Sequence, residues 1–424
     1  MVVPDKEKFI TRFSDYLGKP VTMKLLDEIN QEVVRYYRDH DISVVDSFMP
    51  QGQDITEGTL HVVVLTGKLD KIRVEGARYF NEARMVAQLR LKVDETLSTD
   101  TMRHDLKWLN NNPYRKVNIV LERGEATGKT NVVLKVEDRL PVRVYAGVED
   151  SGTRLVDTNR WLTGFNWGNV FGWEHQLAYQ YTSSFKYGKL KSHSLNYLAP
   201  LPWRHTLTFS GAHSTARPDT TVSGFNLSGR SWQLSSRYQI PLDLENLRQQ
   251  ISIGVDFKRS NNGLEFGSLR VFNNFTNIVQ FVADYQAGLE DPLGYTSLET
   301  VLNYSPGDIG KDNSDQAYNA SRAGASADYF YSHINLGRVT RLPGKFSLVQ
   351  DLKLQWANSN LLANEQLGIS GYQSVRGYDE YQFTGDRGMV LRNEIRTPSQ
   401  SIMQLIRRPG FQDSFQLLAF LDYG

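Results

Sequence analysis

"ISIGVDFK", residues 251–258, sets Ile251, Ile253, Val255 and Phe257 on one face and Ser252, Gly254, Asp256 and Lys258 on the other. A period of two marks a β-strand with one apolar and one polar face. "VQFVADYQAGL" (279–289) repeats it through Val279, Phe281, Ala283, Tyr285, Ala287 and Leu289. "SWQLSSRYQI" (231–240) does so through Trp232, Leu234, Tyr238 and Ile240. Runs of about ten residues suit a strand that crosses a bilayer at a tilt. Working outward, we read about thirteen such runs between residues 142 and 423, including 226–240, 247–258, 275–289, 321–336, 386–397 and 413–423. Every second connection is compact and often carries proline ("APLPW", "IPLDLENL", "EDPLG", "RLPGK"), while those between are longer and polar ("STARPDTTVSG", "SPGDIGKDNSDQ"). Tight turns at one rim and long loops at the other predict a membrane barrel. A soluble sandwich or propeller also alternates. The number and length of the runs, their Tyr and Trp, and the lack of a blade-length repeat favour the barrel.

Composition limits the alternatives. The chain has 424 residues, a formal net charge of +1 and no cysteine. Such a charge gives no electrostatic footprint for nucleic acid, and the missing cysteines exclude a disulfide framework and thiolate metal sites. No apolar run reaches the length of about 18 residues that a membrane-spanning helix needs. The start, "MVVPDKEKF", lacks the basic and apolar regions of a signal peptide. Either a cytosolic protein or a trimmed N-terminus is expected from that.

Residues 5–138 read as two copies of one small unit. "DKEKFITRFSDYLG" and "TMKLLDEINQEVVRYYRDH" carry apolar residues at helical spacing, followed by the strand-like "ISVVDSF" and "GTLHVVVLTG". The second copy opens with the strand "LDKIRVEG", continues with helices around 81–90 and 98–111, and closes with "YRKVNIVLER" and "TNVVLKVED". That order predicts a small sheet with two helices on one face, an α+β layer. The first copy lacks its opening strand, a second pointer to a trimmed N-terminus.

Against this frame, the segment "SVRGYDE" (374–380) carries an arginine, a glycine and aromatics where a solvated loop would need none of them. Val375-Arg376-Gly377-Tyr378 and the closing Phe420-Leu421-Asp422-Tyr423-Gly424 resemble the VRGY and F-x-D-x-G motifs of TpsB-type outer-membrane transporters of two-partner secretion. "MPQGQDITEGTLHVVVLTGKLDKIRVEG" and the Asn112–Arg115 segment of "NNPYRKVNIVLERGEATGKTNVVLKVEDRLPVR" are similar to the joints of that family's POTRA domains. The resemblance implies α+β periplasmic POTRA domains at 1–67 and 68–139 and an antiparallel transmembrane β-barrel from 140 to 424, with an inward-folded loop at 359–386. About 13 of the 16 strands of such a barrel are then present, and roughly three more are expected beyond Gly424, with an N-terminal plug helix also missing. It implies a pore that secretes an unfolded hemagglutinin-, hemolysin- or adhesin-type partner. The other partners it implies are outer-membrane lipid, the barrel-assembly machinery and periplasmic chaperones. No cofactor and no nucleic acid are expected.

Parity along "FQLLAFLDYG" places Phe415, Leu417, Ala419 and Leu421 outward and Gln416, Leu418, Phe420 and Asp422 inward. A loop folded into the lumen brings Arg376 to Asp422 as a bidentate pair, with Gly377 letting the backbone approach the wall and Tyr378 filling space beside it. These residues, with Val375, Phe420 and Gly424, form the expected loop–barrel lock. Arg392, Glu394 and Arg396 share one face of "GMVLRNEIR" and are expected to be lumenal. A substrate groove is expected between helix 22–38 and strand 43–48, walled by Leu26, Ile29, Val33 and Val45.

Enzyme signals are weak. No H-E-x-x-H or acidic calcium loop appears, and "GISGY" lacks the last glycine of a nucleophile elbow. No catalytic or metal site is expected, and His193 and His205 are read as lining the lumen or rim. Two alternatives remain: a barrel-assembly insertase, and the barrel of a surface lipase whose enzymatic domain is missing.

Overall fold

The computed structural model describes residues 3–50, 52–53, 55, 58–152, 156–219, 225–242, 247–266, 269–402 and 413–424. They fall into two compact units, residues 1–141 with 171–174, and residues 142–170 with 175–424.

In the first unit, helices α1 (Lys6–Phe13) and α2 (Met23–Asp39) precede the two-stranded sheet β1 (Val45–Phe48) and β2 (Val63–Thr66). The Thr22 hydroxyl accepts from the Leu25 N–H and starts α2. Val33, Tyr36 and Tyr37, spaced by three and four, then share its buried face and meet Val45 in the core. Next come β3 (Lys68–Glu75), α3 (Glu82–Ala87), α4 (Thr99–Leu109), β4 (Arg115–Arg123) and β5 (Lys129–Asp138). Strand β5 lies centrally, parallel to β3 and antiparallel to β4. Leu69, Met85, Leu109, Val117, Val132 and Leu134 form its fully buried core. The Asn112–Arg115 segment joins α4 to β4: Asn112 Oδ1 accepts from the Tyr114 N–H at 3.1 Å, and Arg115 Nε donates to the Leu109 carbonyl at 2.8 Å. Those bonds use a helix-terminal carbonyl that would otherwise lack a partner.

The second unit is built on one antiparallel sheet. Its strands are β6 (Val142–Glu149), β7 (Arg160–Val170), β8 (His175–Ser184), β9 (Leu190–Pro200), β10 (Thr206–Ala216), β11 (Phe225–Pro241), β12 (Leu247–Phe266) and β13 (Leu269–Asp291). They continue as β14 (Gly294–Pro306), helix α5 (Asp315–Ser321), β15 (Asp328–Arg341), β16 (Ser347–Ala357), a short pair β17 (Leu367–Gly368) and β18 (Thr384–Gly385), β19 (Gly388–Arg396) and β20 (Leu418–Tyr423). Apart from β17 and β18, each strand pairs with its neighbour in sequence, giving a 13-stranded meander with β6 and β20 at its edges. On β12 the two faces separate: Ile251, Ile253 and Phe257 are exposed, whereas Ser252 and Asp256 are buried. An apolar outer and a polar inner face are what a bilayer and a wet lumen require.

Three expectations need correction. Residues 321–336 are not one strand: Ser314 caps α5, and β15 starts only at Asp328. The last strand starts at Leu418, not 413. Strands β11, β12 and β13 have 17, 20 and 23 residues and exceed the ten-residue span, because hairpin pairing continues beyond the length that crosses lipid.

Candidate functional site

Residues 358–387 connect β16 to β19 and return along the polar face of the sheet, held there at three places. Near its start, Leu361 and Leu362 pack with Ile278, Tyr318, Tyr329 and Tyr331 in a buried cluster. Glu365 follows, its side chain 2% exposed, and accepts from Lys258 Nζ at 2.9 and 3.0 Å and from the Tyr331 hydroxyl at 2.5 Å. Lys258 comes from β12 and Tyr331 from β15. A buried carboxylate persists because each of its oxygens has a donor. Gln355 of β16 joins the two limbs, donating to the carbonyls of Glu365 and Asp386, both at 3.1 Å.

The β17–β18 pair brings the limbs together, and the tip folds through Ile369–Phe383 by backbone hydrogen bonds, including Val375 N–H to Ile369 O at 3.0 Å and Ile369 N–H to Phe383 O at 2.9 Å. This ladder presents Arg376 to the wall. Its Nε and Nη2 donate to the two oxygens of Asp422 on β20, both at 2.6 Å, and its backbone N–H adds a bond to Asp422 at 3.1 Å. Its remaining nitrogen, Nη1, donates to Glu394 on β19 at 2.5 Å. The guanidinium lies 3.7 Å from the centre of the Phe420 ring. One side chain thus joins the loop to two adjacent strands, which a planar fork can do and a point charge cannot.

Glu394 is the residue that sequence reasoning placed only on a polar lumenal face. It also accepts from Arg396 Nη2 at 2.5 Å, and Arg392 Nη2 lies 3.6 Å away. The available signal was register: β19 and β20 pair Arg392 with Asp422 and Glu394 with Phe420, so the two carboxylates are diagonal neighbours. Lys258, Glu365, Arg322 and Asp386 carried no local signal.

At the loop's far end, Asp386 accepts from Arg322 Nη1 and Nη2 at 2.5 and 2.8 Å, from the Leu361 N–H at 3.0 Å and from Gln366 at 3.1 Å. Burial pushes the Asp386 carboxyl up, but the Arg322 fork and the other donors outweigh it and hold it below the usual aspartate range.

The two glycines exchange the role foreseen for one of them. Gly377 does not make a close approach; open space surrounds its Cβ position, and it is needed for its φ of +94°. Gly424 makes the approach, since a Cβ there would collide with Ile369 Cγ2 and stand 2.8 Å from Val375 Cγ2. Tyr378 does not pack beside the arginine. It is 56% exposed and meets Phe383 edge-on. His193 and His205 sit with the outward positions of the sheet: His193 pairs with His213, and His205 bonds Tyr238.

In the first unit the expected groove walls are also revised. Val33 and Val45 are core residues, Ile29 packs against that core, and Leu26 is half-buried. The concavity between α2 and β1 has a volume of about 390 Å³ and is lined by Asn30, Gln31, Val34, Arg35, Arg38 and Ser47. An amphipathic helix buries its apolar stripe in its own domain, which leaves the polar flank to form the groove.

Residues 128–424 match the model of the haemolysin secretion/activation proteins ShlB/FhaC/HecB. The chain is 21% identical to the heme/hemopexin transporter protein HuxB of Haemophilus influenzae over 440 residues, covering 100% of this chain and 75% of that one. It is 22% identical to the outer membrane transporter CdiB of Escherichia coli over 364 residues, 81% of this chain and 58% of that one. The solved structure of CdiB from Escherichia coli superposes with a TM-score of 0.77 at 16% identity, over 99% of this chain and 76% of that one. The architecture is therefore that of POTRA domains followed by an outer-membrane β-barrel, and the chain belongs to the ShlB/FhaC/HecB haemolysin secretion/activation family, the outer-membrane transporters of two-partner secretion.

Proposed function

We propose that the chain is a passive protein-conducting pore with a periplasmic receptor. The first unit catches an unfolded secreted partner of adhesin or hemolysin type, and the barrel passes it outward. The loop carrying Arg376 holds the pore in its working shape. The observation that carries this reading is the attachment of Arg376 to Asp422 and Glu394, carboxylates on two neighbouring strands. Because the arginine spans both strands, the docked loop and the local register of β19 and β20 stabilise each other. Residues 392 and 396 complete the charge balance around Glu394. The receptor role rests on the groove beside β1, where an extended segment would add its backbone to a sheet of only two strands. Delivery by periplasmic chaperones and insertion by the barrel-assembly machinery belong to the same proposal.

A secretion assay tests the pore reading, paired with a loop-position assay. Lys353 Nζ donates to the Gln373 carbonyl at 3.0 Å, so cysteines at 353 and 373 in this cysteine-free chain report docking through a short bis-maleimide bridge. Arg376→Ala should abolish export and bridging while the protein stays in the outer membrane. Full secretion by both Arg376→Ala and Asp422→Ala would refute the lock. Binding of the unfolded partner by the barrel without residues 1–138, equal to binding by the whole chain, would refute the receptor.

A further inference from the structure

The outer face of the sheet carries a second ordered pattern, at the strand ends that meet the long loops. Cross-strand register places Tyr181 beside His193, His193 beside His213, His213 beside Trp232 and Trp232 beside Arg259, one row across five strands. One row further toward the loops, Lys191 stands beside Thr215 and Thr215 beside Arg230. Parity sets these residues on the face of Leu195, Phe209, Leu234 and Phe257, all exposed. Toward the other rim, six residues along β11 and roughly 20 Å from Trp232, the Tyr238 hydroxyl accepts from the Trp203 indole N–H and shares a hydrogen bond with His205. Aromatic residues flank the apolar stretch at both ends, and Lys191 and Arg230 lie one row beyond the set nearer the long loops, from which their long side chains reach headgroup depth.

Neither Lys191 nor Arg230 takes part in an ion pair among the described residues. Lys191 lies 3.9 Å from the centre of the Tyr187 ring, and Arg259 meets Asp312 only at 3.8 Å while covering Phe275. Strands β14–β16 differ at the corresponding ends. There Tyr304, Phe330 and Trp356 form the outward belt, and the neighbouring Arg387 is bonded to the Ala357 carbonyl. Among the described strand residues of the outer face, Lys191 on β9 and Arg230 on β11 are the cations without an ion pair.

We propose that this face binds a phosphorylated glycolipid headgroup of the outer leaflet. Lys191 and Arg230 stand two strands, about 10 Å, apart, a separation suited to two phosphates joined by a disaccharide. Arg230 offers a fork to one phosphate and Lys191 a point charge to the other. Thr215, His193 and His213 supply hydrogen-bonding groups for the sugar between them, and Trp232 a flat apolar surface. The loop and its lock lie on the opposite face of the sheet, so this site is independent of them.

The test uses the whole protein purified in detergent, with purified bisphosphorylated lipid A as the probe. The double variant Lys191→Gln with Arg230→Gln should bind at least tenfold less, and enzymatically dephosphorylated lipid A should bind the unmodified protein as weakly. The charge-keeping variant Lys191→Arg with Arg230→Lys should retain binding, as should Lys345→Gln at the other rim. Heat-modifiable migration on gels shows which variants are folded, and Lys191→Gln alone serves if the double variant is not. Undiminished binding by the folded charge-removed variant, or equal binding of dephosphorylated lipid A, would overturn the proposal. So would an equal loss of binding to phosphatidylglycerol vesicles, which would mark a general attraction for anions. Inorganic phosphate at millimolar concentration should not displace the probe, and displacement would identify a free-phosphate site instead.

Discussion

The loop is fastened to the barrel wall in two chemically different ways. At Glu365 a carboxylate on the loop receives a lysine and a tyrosine from the wall, and both Glu365 and Tyr331 are buried. At Arg376 the charges are reversed: the cation is on the loop, and two strands of the wall supply the carboxylates. The Glu365 contact reaches β12 and β15 in the middle of the sheet, whose register is already held on both sides. The Arg376 contact instead reaches two adjacent strands, β19 and β20, and spans the pairing between them. The first anchors a loop to a rigid wall, and the second helps to hold the wall together. The same type of ion pair thus does different work according to whether its partners lie on adjacent strands.

The strongest way to break this contrast is to remove each centre in turn. Arg376→Ala leaves Asp422, its side chain 2% exposed, without its bidentate partner and takes one donor from Glu394, which keeps Arg396. Losing one partner of a buried pair costs about 3–5 kcal/mol, a figure that a wet lumen shifts toward its lower end. Export and the 353–373 bridge should both be lost. Glu365→Gln should cost about 1.5–3 kcal/mol, the range for a hydrogen bond to a charged group. Its effect should be local: faster proteolysis near residue 362, with the 353–373 bridge retained. Equal loss of bridging in both variants would show that the two anchors are one cooperative unit.

The glycines sharpen the comparison at the lock itself. Gly424→Ala inserts a methyl against Ile369 and Val375, an overpacking cost of about 1–3 kcal/mol. Gly377→Ala meets no atom and carries only the left-handed backbone penalty of roughly 1–2 kcal/mol. Gly377→Asn, which tolerates that conformation better than Ala, should therefore export more than Gly377→Ala, whereas Gly424→Asn should be worse than Gly424→Ala. Paired secretion assays on the four variants check the order.

The smallest effect expected is on pH. The Arg322 fork and the other donors hold Asp386 below its unfolded value, so its contribution is complete above about pH 4 and declines as pH falls through the lower folded value. Arg322 and Asp386 are about one third and one fifth exposed, and solvent screening keeps the effect modest. Cleavage of the 358–387 loop by an acid-active protease should rise below pH 4 in the unmodified protein. In Asp386→Asn it should already be high at pH 5, since that variant cannot regain the pair.

Much of this protein is written in its residue order. Period-two alternation separates the outward and inward faces strand by strand, and alternating turn lengths set the two rims, because both depend on near neighbours in sequence. The pairing of Arg376 with Asp422 was legible through two short motifs and one count of parity. What the chain order does not contain is the position of one strand against another. Glu394 enters the lock only because register sets it diagonal to Asp422. Glu365 meets Lys258 across 107 residues because a loop returns through the lumen. Gly424, and not Gly377, is the glycine that must be small, because Ile369 and Val375 fold over it. The groove of the first unit is polar because α2 spends its apolar stripe on its own core. Each of these is a contact between segments far apart in sequence, set by packing and strand register, and tertiary structure alone decides it.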